Sequence, residues 1–290
     1  MIRSAPHLRA KADAAAAALP ALILAAERLS AALSIGSHGM RRAGMGEEFW
    51  QYRPASDSDS ARSIDWRRSA RSDGQFVRDR EAQIAQSAAI WLSAGRGMDY
   101  TGSPDRPSKR ARGEILSLAL AMALLRGGEK VGLLGQVPRA GRVQADRLAE
   151  ALLAPVAEPP GDDQFPPAQA IRPGQRIILI GDFLGELEPV LTFLQHAAAM
   201  GISGAMLQVL DPDEESFPFS GAVLFRSPSG AQSHDTRDAG GLRAAYLARL
   251  AERRMALTRA AQSCGWQFGT HDTATAPATA LLWLAAVLEG

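Results

Sequence analysis

With a single cysteine in 290 residues, no internal disulfide can form, which excludes a disulfide-stapled secreted scaffold. That residue, Cys264, closes the run AAQSCGW, read as the end of a buried amphipathic helix where a thiol is inert. An excess of charge is missing too. Thirty-two Lys and Arg face 31 Asp and Glu, so no global field draws in nucleic acid, membrane or acidic substrate, and charge arguments must be local. Long apolar runs are also lacking. A span needs about 20 mainly apolar residues, whereas AAAAALPALILAA has 13 between Asp13 and Glu27, and TATAPATALLWLAAVL contains Pro277. Both read as amphipathic or buried helices. The opening MIRSAPHLRAKAD has no apolar block before Asp13, which argues against a secretory signal and predicts a cytoplasmic protein. Enzyme motifs are absent as well: no phosphate-binding G-x-x-x-x-G-K-[ST] loop, no strand-linked G-x-G-x-x-G and no G-x-S-x-G elbow. The histidines His7, His38, His196, His234 and His271 lack ligand spacing. No catalysis and no cofactor are expected.

What is present reads as a globular chain, 46% apolar and 22% charged. An Ala- and Leu-rich helical stretch from Leu8 to Ile35 is divided at Pro20, because proline removes a helical hydrogen bond. Gly, Ser, Asp, Arg and aromatics then dominate to Arg80, with β-like pieces EEFWQYRP and QFVRDR. From Gln83 onward β-like runs (SAAIWLSA, KVGLLGQ, RIILIGD, AMLQVLD, WQFGTHD) alternate with helical patterns. Alternation predicts a doubly wound, mainly parallel α/β sheet, since parallel strands need crossover helices. The expected organisation is a helix and β-rich extension over 1–82 and a sheet domain over 83–290.

In open α/β sheets ligands bind beyond the carboxyl ends of the strands, here marked by Ser93, Asp182, Asp211 and Asp272. A strand ending in D-x-S-x-S is how von Willebrand factor A-type domains hold a divalent ion, through one carboxylate and two hydroxyls. This chain reads LSAGRGM: Ser93 stands at the carboxylate position, Gly95 and Gly97 at the hydroxyl positions, and Arg96 adds a cation. No Ser, Thr or Tyr occurs between Ser117 and Thr192, so the expected threonine ligand is missing too. Only Asp182 remains, which predicts a degenerate site without divalent metal. Arg96 is expected to take the metal's place beside Asp182, and Ser93, Arg96, Asp182 and Asp211 form a candidate partner-binding face. Asp182 and Asp211 together also permit the alternative of a metal-dependent binder or enzyme.

The most specific segment runs from Gly46 to Glu81. Its residues Phe49, Tyr52, Arg62, Ile64, Asp65, Trp66, Arg67, Ser69, Ala70, Arg71, Val77, Arg78 and Glu81 resemble the signature of the bacterial domain-of-unknown-function-58 family. The later blocks RIILIGDFLG and LQVLDPDEESFPFSGAVLF are similar to that family's as well. The resemblance implies a von Willebrand factor A-like fold and an accessory role beside a MoxR-type AAA+ ATPase, hence a protein partner. Trp66 is expected to be buried between this extension and the sheet domain. The arginines of 62–80 also permit a nucleic-acid surface, but Asp65, Asp73, Asp79 and Glu81 lie among them, favouring local ion pairing.

Overall fold

In the computed structural model the described residues are 5–31, 33, 40–44, 48–55, 64–70, 75–84, 87–155 and 161–289. In chain order the elements are α1 (Ala5–Ala31), β1 (Met40–Gly44), β2 (Glu48–Pro54), α2 (Trp66–Ser69), β3 (Phe76–Ile84), β4 (Ser87–Leu92), α3 (Lys109–Arg126) and β5 (Lys130–Leu133). They continue with α4 (Val143–Leu153), β6 (Gln175–Gly181), α5 (Glu188–Ala199), β7 (Gly204–Leu210), α6 (Pro212–Ser216), β8 (Val223–Arg226), β9 (Ser233–Thr236), α7 (Ala239–Ser263), β10 (Gln267–Asp272) and α8 (Pro277–Glu289).

The chain folds as two units, one of residues 1–36 with 87–290 and one of 37–86. In the larger unit five strands pair in the order β10-β7-β6-β4-β5, all in parallel. This is the doubly wound α/β sheet expected from the alternation. Strand side chains point to opposite faces in turn. Ile178 and Ile180 therefore join Ala88, Ile90 and Leu207 under α3, α4 and α8, while Ile177 and Leu179 join Ala89 and Met206 under α5 and α7. Trp266 is 1% exposed; its Nε1 donates to the Ile202 carbonyl at 3.1 Å and its ring meets Phe193 edge-on.

Two local expectations change. Pro20 lies inside α1 without dividing it, and the helix packs on α3, α4 and α8 within the sheet unit rather than with the β-rich extension. Its apolar residues Leu19, Leu22, Ile23 and Leu29 pack on that core, and this burial outweighs one missing backbone bond. Cys264 caps the C-terminus of α7 and is half-buried.

The smaller unit is an antiparallel sheet in the order β1-β3-β2. Its signature turn is built by hydrogen bonds. Asp65 N donates to the Phe76 carbonyl (2.8 Å), Ser69 Oγ donates to the Asp65 carbonyl (2.9 Å), and Phe76 N donates back to Ser69 Oγ (3.0 Å). These bonds hold α2 against β3 with Val77 buried and Trp66 57% exposed. The expectation that Trp66 is buried is therefore corrected: Val77, not Trp66, is the turn's buried apolar residue. Trp66→Ala should leave the chemical-denaturation midpoint within about 0.5 kcal/mol of wild type, and a larger loss would return Trp66 to a packing role. Arg62 and Arg71 lie outside the described residues, while Tyr52 and Arg78 lie on the paired strands β2 and β3.

Buried charge in the sheet unit gives a pH signature. Glu129, just before β5, is 5% exposed; burial pushes its carboxyl up to about 7, with Arg176 acting against it. The folded state thus keeps a proton that the unfolded chain has already lost between about pH 4.5 and 7. Stability falls as pH rises through that window, and the penalty is complete above it. Glu129→Gln should therefore stabilise at pH 8, by up to about 3 kcal/mol, and have little effect at pH 4. Glu114, also pushed up to about 7 by burial, slopes the same way, whereas His271, lowered to about 4 by burial and by Arg112, slopes oppositely. The difference between wild type and variant across a pH series of melts isolates Glu129.

Candidate functional site at the strand ends

The chain turns from β4 to β5 on one side and then to β6 on the other, so β4 and β6 flank the topological switch point. That is where ligands sit in open α/β sheets. Ser93 and Asp182 follow directly on these strands, and Ser93 N donates to the Ile180 carbonyl at 2.8 Å. Asp211 follows β7, and Asp272 ends β10.

Helix α3 governs this face. Ser108 caps its N-terminus, the Oγ accepting from Ala111 N at 3.2 Å. The next residues include Lys109, Arg110 and Arg112, cations at the end where the helix dipole disfavours them. Each is held by a different strand-end loop. Lys109, 1% exposed, donates from Nζ to Asp182 Oδ2 (3.0 Å) and to Glu214 Oε1 (2.6 Å). Arg110 donates to the Ala94 and Gly95 carbonyls (3.2 and 3.0 Å) and pairs with Asp99. Arg112 donates to the Thr273 and Thr275 carbonyls (2.7 and 2.6 Å) and meets His271 Nε2 at 3.1 Å. Burial by itself would lower the Lys109 ammonium, but Asp182 and Glu214 outweigh it and hold it above its ordinary value.

A second ion cluster adjoins the first. Asp211, fully buried, caps α6 by accepting from Asp213 N (2.9 Å), while Glu214 Oε2 accepts from Asp211 N (2.9 Å), completing a capping box. Its carboxylate also accepts from Arg106 (2.9 and 3.3 Å) and from Thr273 Oγ1 (3.1 Å). Burial opposes ionisation of Asp211, yet these donors hold it below the usual carboxylate range. Glu214 thus joins the two clusters.

The loop after β4 is covered by residues 161–164. Arg96 N donates to the Gly161 carbonyl (3.1 Å), Gly97 N to the Asp162 carbonyl (3.0 Å), and Ala94 N to Gln164 Oε1 (2.9 Å). Asp162 is tied in turn to the tip beyond β8, accepting from Ser229 N and Oγ at 2.6 and 2.7 Å.

Ser93, Asp182 and Asp211 do converge, but they are 2%, 5% and 0% exposed, so these three contribute structure rather than an open surface. Arg96 is corrected: among the described ion pairs Asp182 has Lys109, while Arg96 fixes the covering loop through its backbone. Lys109, Arg106 and Glu214 were not singled out from the sequence. The available signal was SKRAR itself, a serine cap followed by three cations where a helix start favours anions.

A divalent ion does not fit these residues. Asp182 is already paired with the Lys109 ammonium, and little room is left beside Gly95 and Gly97. A Cβ on Gly97 would lie 2.7 Å from Asp182 Oδ2 and 3.2 Å from the Asp162 carbonyl oxygen, and a Cβ on Gly95 would lie 2.6 Å from that oxygen.

The fold and site define a doubly wound α/β protein whose strand-end loops are locked by internal ion pairs. It belongs to the family described as protein of unknown function DUF58, which it matches over residues 51–256. Two solved structures are similar at 16% identity, each covering 70% of this chain and 98% of its own. They are an aerotolerance-related membrane protein from Bacteroides fragilis NCTC 9343 carrying multiple mutations to serine (TM-score 0.44) and the conserved hypothetical protein BatB from Bacteroides thetaiotaomicron (TM-score 0.42). No curated protein matches the chain. Among the described residues no helix is long and apolar enough to cross a membrane.

Proposed function

We propose that this chain is a von Willebrand factor A-like protein-interaction module, without catalysis of its own, acting in the cytoplasm as an accessory factor of a MoxR-type AAA+ ATPase. The observation that carries the reading is the state of the strand-end acids. A general acid or base must reach its substrate, whereas Asp182 and Asp211 are buried and held by Lys109 and Arg106. Groups locked in this way fix the loops around them, which is what a preformed binding face requires. Around them stand accessible charges of both signs, among them Arg106, Asp213, Glu215 and Arg254, each 23–32% exposed. This rim suits a polar protein surface better than a polyanion. Family membership supports the accessory role, and the exposed Trp66 and Arg67 of the signature turn add residue types common at binding hot spots.

Biolayer interferometry between the purified chain and a purified MoxR-type ATPase, with ATP and with ADP, tests the reading. Saturable binding, and a change in ATPase rate on adding the chain, are expected. No binding at high micromolar concentration would sink the reading, and salt-steep capture of random nucleic acid would replace it with a phosphate-binding role.

A further inference from the structure

The von Willebrand factor A resemblance implies a divalent ion at the end of the first central strand, and such an ion needs several oxygen ligands, at about 2.0–2.1 Å for Mg²⁺. This chain brings a carboxylate, Asp182, to that place and then fills the remaining space with its own groups. On one side is Lys109 Nζ, 3.0 Å from Asp182 Oδ2, 2.6 Å from Glu214 Oε1 and 5.9 Å from the centre of the Tyr100 ring. On the other is the Asp162 main-chain carbonyl, accepting from Gly97 N and lying where a side chain at 95 or 97 would project.

We propose that Lys109 is the resident cation of this site, doing permanently what a divalent ion does elsewhere, with the 161–164 loop filling the ligand space. Three observations converge on it. A lysine at the first position of a helix works against the dipole, so its burial here depends on the two carboxylates. Those carboxylates come from different loops, after β6 and on α6, so the ammonium joins three elements as a metal would. The glycines leave that space to the covering loop and the carboxylate: a Cβ at 95 would lie 2.6 Å from the Asp162 carbonyl oxygen, and one at 97 would lie 2.7 Å from the Lys109-bound Asp182 Oδ2. The consequence is that the strand-end face forms without metal. Its extension to partner binding, which rests on the interaction reading above, is that docking does not depend on divalent ions.

Thermal melts of the full-length chain test this without any partner. The wild-type midpoint should be the same in chelator and in millimolar Mg²⁺, Mn²⁺ or Ca²⁺, because a ligand that binds only the native state would have raised it. Lys109→Ala should melt roughly 10 °C lower and recover part of that loss in millimolar Mg²⁺ or Ca²⁺, which can enter the vacated position between Asp182 and Glu214. If Lys109→Ala does not fold, Mn²⁺ titration of the wild-type chain, followed by electron paramagnetic resonance, decides instead, with no bound fraction expected. A saturable wild-type response to metal, lost in Asp182→Asn, would overturn the proposal. So would a Lys109→Ala variant as stable as wild type. Failure of ATPase binding alone would leave these melts unchanged and would count against the interaction reading only.

Discussion

Asp182→Ala is expected to destabilise the chain by about 3–5 kcal/mol, because it leaves the Lys109 ammonium buried with one of its two carboxylates gone. Removing one partner of a buried ion pair is worse than removing both, since the surviving ammonium keeps only Glu214 and is left incompletely compensated. Lys109→Met should be comparably damaging for the converse reason. The double variant Lys109→Met with Asp182→Ala should lose less than the sum of the two, and that coupling is measurable in a double-mutant cycle by urea denaturation. Strict additivity would mean that the two side chains do not share their energy, and the strand-end cluster would lose its central contact.

Trp266→Ala is the other large effect, also about 3–5 kcal/mol. The indole is buried between α5, α7 and the sheet. Its removal opens a large cavity and leaves the Ile202 carbonyl without its donor. Trp266→Phe should recover much of the packing but not that hydrogen bond, and so fall between the two. Equilibrium unfolding of the three proteins gives the order. Close approach of Gly204 to this ring also explains that glycine: a Cβ there would lie 2.9 Å from the indole and 2.0 Å from the Ile177 carbonyl oxygen.

The strand ends show how far sequence reasoning reached. Runs such as RIILIG are apolar on both faces, and only a sheet buried on both sides accepts them, so the parallel core was legible. Ser93, Asp182 and Asp211 could be placed at strand ends for the same reason. That Gly95 and Gly97 carry no hydroxyl could be read directly as well. Which cation meets Asp182 could not. Arg96 sits in the loop itself, between Gly95 and Gly97, whereas Lys109 reaches Asp182 from the start of the following helix, and both are distant from that carboxylate in the chain, Lys109 by 73 residues. Proximity to the loop rather than to Asp182 favoured the wrong residue.

Local patterning therefore determined the class of fold, its strands and the residues at their carboxyl ends, because burial periodicity and turn chemistry are properties of short segments. Tertiary structure alone decided the pairing of charges and the direction of Trp66. Ion pairs such as Lys109–Asp182–Glu214 join segments far apart in the chain, and no local pattern encodes which partner comes within 3 Å. Trp66 is left exposed on α2, whose ends are fixed to β3 through the Asp65 and Ser69 hydrogen bonds, and the sequence pattern of a large aromatic ring gave no sign of that.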